Sequence, residues 1–456
     1  MNEHIIKKLQ NIVGKQYVIT KAEEMICYSY DGTFQRGLPA GVVFPATTRE
    51  VAEIIGLANT EKIPVFPRGS GTGLSGGSIP QNGGLVLVLN RMNKIKEISK
   101  EDLLAVVEPG VITGDLHQAV ENIGLFYPPD PASLKTCTMG GNIAENAGGP
   151  RAFKYGVTSD YVLGLEVITP TGEIMRTGGR TVKNVTGYDL KRLMTGSEGT
   201  LGVVTEITVR LVPKPKDKKT ALVIFDSLDS AASTVAAIVT EGVIPATLEL
   251  MDKLTIQCVE KNARLGLPLD AEAILLMEVD GSTVQVNEDI GIIEDICKRN
   301  KCRKIEIAST LEDREKLWKA RRAVSSAIVQ LKPTKISEDA TVPRSKIPEM
   351  VRRLQEISKK YNIHLPVFGH AGDGNLHPNI IADKSDPEEM ERVEKAVGEI
   401  FKAALDLGGT LSGEHGIGVM KKPYLKWEMG EVGLSYLKAI KNAVDPNNIL
   451  NPGKIF

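Results

Sequence analysis

Residues 67–80 read PRGSGTGLSGGSIP, and the fold of the N-terminal half turns on how this loop is understood. Gly71, Gly73 and Gly76 carry the G-x-G-x-x-G spacing of a doubly wound dinucleotide site. That fingerprint requires a helix opening inside the loop, so that its N-terminal dipole meets a pyrophosphate. Here the chain goes on through Pro80 into GGLVLVLN, residues 83–90, a turn followed by a strand pattern. A phosphate loop of the Walker kind is excluded as well, since no Gly-Lys-Ser/Thr closes the run. What remains is a nest of backbone N–H groups able to cradle an anion without a helix, or a plain surface loop of tight turns.

Two further glycine-rich stretches decide between these. Residues 127–156, YPPDPASLKTCTMGGNIAENAGGPRAFKYG, place Gly140, Gly141 and Asn142, then Asn146 and Gly148, where backbone can approach a flat ring closely. Residues 178–211, GGRTVKNVTGYDLKRLMTGSEGTLGVVTEITVRL, repeat the style ahead of a terminal strand. Taken in this order, the three stretches resemble the FAD-binding domain of the vanillyl-alcohol oxidase and p-cresol methylhydroxylase superfamily. The resemblance implies that Arg68, Gly69, Ser70, Gly71, Thr72, Gly73 and Leu74 cradle the FAD pyrophosphate. It implies too that Pro129, Gly140, Gly141, Asn142, Asn146 and Gly148, with Glu198, Gly199, Gly202, Ile207 and Asn451, line the flavin and adenosine parts. Some members attach FAD through a histidine in the glycine loop. Residues 68–77 contain none, so a non-covalent FAD is expected.

The second half carries a different chemistry. Residues 369–379 read GHAGDGNLHPN and residues 412–418 read SGEHGIG, so that three of the six histidines stand beside glycines in two short stretches. Neutral imidazole and carboxylate are the usual ligands of a catalytic zinc, manganese or iron ion. His370 and His377 are seven apart and would face opposite sides of one straight strand. The Gly-Asp-Gly-Asn insert supplies a turn that brings both to one site, with Glu414 as third ligand and open positions left for a substrate. His4, His117 and His364 read as surface or satisfied core residues.

The two histidine motifs resemble those of the D-2-hydroxyacid dehydrogenases of the same superfamily, a group with D-lactate dehydrogenase, the glycolate oxidase catalytic subunit and D-2-hydroxyglutarate dehydrogenase. The resemblance spans essentially the whole chain. It implies that a divalent metal on His370, His377 and Glu414 lowers the pKa of a substrate hydroxyl, that His415 is the base, and that C2 hydride passes to flavin N5. An imidazole of ordinary pKa, about 6.5, is largely neutral at pH 7 and can accept a proton. Proton loss from C2 first is the alternative order. An anionic substrate needs a cation, and guanidinium offers bidentate geometry. The family's W-x-x-R pattern in LWKARRAVSS, residues 317–326, favours Arg321 over Arg322, with Lys335 as second candidate. Short monoacids are favoured, lactate ahead of glycolate.

Bulk properties agree. At 456 residues the chain should divide into two or three modules. A net charge of -1 offers no field toward nucleic acid or an anionic membrane. The five cysteines contain no C-x-x-C pair, and each reads as a small buried hydrophobe, so no iron-sulfur cluster of its own is expected and electrons must pass to a partner. The resemblance implies that this partner is an electron-transferring flavoprotein or another redox subunit. The first residues lack the apolar stretch of a signal peptide, and no run approaches the roughly 18 apolar residues of a membrane span, so a cytoplasmic protein is expected.

The expected architecture is α+β: a two-part FAD-binding domain over residues 1–214, an α+β cap over 215–415 with a mainly antiparallel sheet and helices on one face, and a helical segment over 416–456 returning to the first domain. KPKDKKT, residues 214–220, reads as a solvated linker between them. Three rival readings remain: an oxygen-using flavin oxidase, an NADPH-dependent enolpyruvyl reductase, and a metal-binding scaffold without flavin. The first two do not require the two-histidine, Glu-His constellation, and the third would show eroded glycine clusters.

Overall fold

The computed structural model describes every residue except Asn82. The chain divides into two compact units: residues 1–148, 157–214 and 414–456 form one, and residues 149–156 and 215–413 the other.

The first unit holds two sheets. A four-stranded sheet orders Val18–Ile19, Gly41–Val43, Leu85–Val88 and Val65–Arg68, the last three mutually parallel. Parallel strands are covered on both faces and read as unbroken apolar runs. Gly41–Val43 and Leu85–Val88 are accordingly buried throughout. Helix Thr48–Glu61, capped by the Thr47 hydroxyl, packs Val51, Ile54, Ile55 and Ala58 against this sheet. The second sheet is antiparallel, in the order Ile95–Ser99, Leu104–Val107, Val203–Arg210, Val162–Ile168, Ile174–Gly178. Its central strand Val203–Arg210 alternates buried and half-buried positions, the pattern of a sheet with one wet face.

A single antiparallel sheet forms the frame of the second unit: Lys304–Ile307, Asp217–Phe225, Ala273–Gly281, Thr247–Asp252, Val367–His370, Asn375–Ala382 and Thr334–Ser337, with Ala340–Thr341 pairing beside Asn375–Ala382. Helices cover both faces, not one. Strand Ala273–Gly281 is buried at eight consecutive positions. One face, with Ile274 and Leu276, meets helices Lys253–Ala263 and Leu311–Ile328, while Leu228–Thr240 and Thr283–Arg299 also pack on this sheet.

The linker expected over 214–220 is shorter than read. Strand Asp217–Phe225 takes Lys218 and Lys219 into register with Asp280 and Val279, because a long partner strand outweighs the charge of the run. Cys137, Cys258 and Cys297 are buried as expected, but Cys27 is exposed on the short turn Ile26–Tyr28. Burial pushes the Cys297 thiol up to about 12. Among the described residues, no helix is long and apolar enough to cross a membrane.

Candidate functional site

The glycine loop leaves strand Val65–Arg68 and enters strand Leu85–Val88 with no helix between, as the sequence argued. Its glycines are forced by contact. A Cβ on Gly69 would stand 2.3 Å from Thr138 Oγ1, and one on Gly71, at φ +69°, would overlap the Arg68 guanidinium. Arg68 thus folds beneath its own loop and donates to Ser78 Oγ. The carbonyls of Gly73, Ser75 and Gly77 are taken by the N–H groups of Gly32, of Val419 and Met420, and by Asn451 Nδ2. These three carbonyls are therefore directed into the protein, an arrangement compatible with backbone N–H groups of the loop being offered to an anion such as a pyrophosphate.

The other flavin candidates gather nearby or support the wall. Thr138 caps helix Met139–Glu145, Gly140 lies against Pro109, and Asn142 donates to Thr113 Oγ1. Asn146 ends that helix in the left-handed region and accepts from Ser159 N–H. Gly199 lies against Pro67 and Gly202 against Val167. Asn451 Nδ2 also donates to the Glu198 carbonyl at 2.6 Å. Ile207 is fully buried inside the five-stranded sheet, opposite Val107 and Leu165. The Pro129 carbonyl is bonded to His117 Nε2 at 2.9 Å, which makes His117 a satisfied core histidine. His4 and His364 are exposed.

The histidine motif is a hairpin. Strands Val367–His370 and Asn375–Ala382 pair so that Phe368 faces His377 and His370 faces Asn375. Gly374 makes the turn at φ +89°, where a Cβ would strike the Val342 carbonyl at 2.0 Å. The two imidazoles are 3% and 5% exposed, with ring centres 5.0 Å apart. Glu414, one peptide bond beyond Gly413, adds a carboxylate: one ligand atom from each of His370, His377 and Glu414 lies within 4.8 Å of the others. Two neutral nitrogens and a carboxylate suit a zinc-like, manganese or iron ion.

Glu249 was missed by sequence reasoning. It sits on strand Thr247–Asp252 opposite His370, wholly buried, and its carboxylate accepts from His370 Nδ1 at 2.6 Å and from Arg321 Nε at 2.5 Å. Burial raises its pKa, but Arg321 and His370 more than offset this and leave the carboxyl below its ordinary value. Ionised Glu249 can only accept, so His370 Nδ1 carries the proton and Nε2 is the nitrogen it can offer a metal. Arg321, read as a substrate clamp, is therefore first a support of this carboxylate, buried on helix Leu311–Ile328 with its guanidinium 4.9 Å over the Phe368 ring. Arg322 points outward to Glu315. Lys335 donates to Ser325 Oγ, and burial lowers its pKa.

Comparison with known proteins places both halves of the chain in known families. Residues 39–178 match the FAD binding domain family, and residues 214–455 match the family described as FAD linked oxidases, C-terminal domain. Glycolate oxidase subunit GlcD of Bacillus subtilis (strain 168) is 52% identical over 94% of this chain and 92% of its own length. D-lactate dehydrogenase of Anaerostipes hadrus is 36% identical over 99% of this chain and 97% of its own. The solved structure of p-cresol methylhydroxylase with substrate bound has a TM-score of 0.83 at 20% identity, covering 99% of this chain and 96% of that one. A glycine loop without a helix, a sheet unit bearing a buried histidine pair, and relatives aligned nearly end to end lead to one placement: the chain belongs to the FAD-linked oxidases, as an FAD-dependent oxidoreductase with the fold of p-cresol methylhydroxylase.

Proposed function

We propose that this protein oxidises a short D-2-hydroxy monoacid, D-lactate or glycolate, to the 2-oxo acid. The observation that carries this reading is the convergence of His370, His377 and Glu414 within 4.8 Å, with His370 pinned by Glu249. When bound, FAD supplies the acceptor for the C2 hydride, and a divalent ion held by those three residues supplies Lewis acidity at the substrate hydroxyl. His415 accepts the hydroxyl proton on an imidazole nitrogen. Glu249 keeps His370 in one tautomer and orientation. The substrate carboxylate is assigned to the Arg321 guanidinium, whose fork has more N–H groups than the one spent on Glu249, with Lys335 as the second cation.

The names of the two sequence relatives support a hydroxy monoacid, and the Bacillus relative is named as a subunit. The reading accordingly passes the electrons to a separate protein, an electron-transferring flavoprotein or another redox subunit, and the protein works in the cytoplasm.

The test is the anaerobic visible spectrum of the metal-loaded protein before and after addition of D-lactate, glycolate and L-lactate in parallel. Bleaching of the flavin by D-lactate or glycolate, and not by L-lactate, is expected. An oxidised flavin with all three would overturn the substrate class.

A further inference from the structure

Beneath the glycine loop of the first unit lies a pair of carboxyls with no part in the reaction just described. Glu145 ends helix Met139–Glu145, and Glu198 occupies a left-handed turn at φ +51° ahead of strand Val203–Arg210. The Glu198 carboxylate accepts from the backbone N–H groups of Ile417 and Gly418, each at 2.7 Å, one on each oxygen. Two glycines mark how closely the carboxyls approach. A Cβ built on Gly416 would lie 2.2 Å from Glu145 Oε2 and 3.1 Å from Glu198 Oε1. One on Gly77 would lie 2.8 Å from Glu145 Oε1 and 3.8 Å from Glu198 Oε2. Glu145 Oε2 is sealed from solvent with no hydrogen-bond partner.

Two carboxyls confined in this way do not both ionise. Glu198 has the donors a carboxylate needs, so the proton belongs on Glu145. Burial raises the Glu145 pKa well above the ordinary value, and the nearby charges of Glu198 and Asp31 raise it further, against Lys421. Burial raises Glu198 too, opposed by the Ile417 and Gly418 amides and by Lys421 and Lys454. Lys454 donates to the Ile79 carbonyl, and its burial brings its own pKa down to about 8.

We propose that Glu145 and Glu198 form a charge-coupled carboxyl pair, Glu145 neutral and Glu198 charged, that fixes the Gly416–Gly418 backbone against the glycine loop and thereby positions Glu414 and His415. The catalytic consequence rests on the function proposed above, whereas the pair itself rests on the geometry alone. Both are positioning residues, since neither is assigned a contact with substrate.

The full-length, FAD-loaded protein separates the two. A carboxyl whose folded pKa is raised lends stability that is complete below the unfolded pKa and is lost as pH rises through the folded value. Wild type should therefore lose thermal stability from pH 5 toward alkaline pH more steeply than Glu145→Gln, whose amide copies the neutral acid. Flavin reduction by hydroxy acid should fall at least about tenfold in Glu145→Ala, which strips a buried pair of one member, and recover in Glu145→Gln. Glu198→Gln should lower the same rate with flavin retained, because an amide offers one acceptor where two N–H groups need two. A Glu145→Gln stability profile parallel to wild type would overturn the pair, whatever the substrate proves to be. Failure of Glu145→Gln to recover the rate lost in Glu145→Ala would overturn its positioning role.

Discussion

Glu249 joins two hydrogen-bond donors that the sequence keeps 72 and 121 residues away from it, Arg321 and His370. Replacing it with Gln removes the charge that sets the His370 tautomer and leaves Arg321 buried without its partner. Metal affinity of Glu249→Gln should fall about 10–100-fold, the usual cost of losing a ligand's supporting carboxylate, as measured by titration of the metal-free protein. His377→Ala removes one of the proposed ligands, and metal analysis after gel filtration should find the ion lost with FAD retained. His415→Ala should keep both FAD and metal but abolish flavin reduction in stopped flow; full turnover would remove His415 from the mechanism. At this scale the grouping of His370, His377 and Glu414 was legible because its members lie in two short motifs whose residue types suggest a shared chemistry. Glu249 was not, since in ATLEL it is one polar position in an apolar strand and only the pairing with His370 gives it a task. Glu145 was hidden in the same way, inside a glycine cluster read for its glycines, while Glu198 was singled out only as a residue lining the cofactor.

At the scale of elements, the histidine hairpin depends on a backbone conformation as much as on side chains. Gly374→Ala would combine a positive φ with a clash on the Val342 carbonyl, and a loss of about 3 kcal/mol in denaturant unfolding is expected. Thr138→Ala removes a helix cap and should cost about 1 kcal/mol. Helix Thr48–Glu61 could be read residue by residue because its cap and its period of apolar positions agree. The run at 214–220 could not, because strand length is set by a partner more than fifty residues further on. Helices on the second face of the large sheet escaped notice for a similar reason: a buried strand reads as apolar whichever side its cover comes from.

At the scale of the molecule, the glycine loop belongs to one unit and the histidine hairpin to the other. Added FAD should raise the unfolding transition of the first unit, by an amount that grows with the logarithm of free FAD, and calorimetry across an FAD series measures it. A chelator should leave that transition in place while removing the hydroxy-acid-dependent bleaching.

The first unit is also closed by residues from far along the chain. Val65 exchanges backbone hydrogen bonds with Ile449 and Asn451, Lys441 Nζ donates to the Thr200 and Leu450 carbonyls, and Lys454 reaches Ile79. On a ribosome adding about 5–20 residues per second, the glycine loop emerges on the order of tens of seconds before the segment that braces it. The nascent loop must therefore wait, without these late partners, until the whole of the second unit has been made.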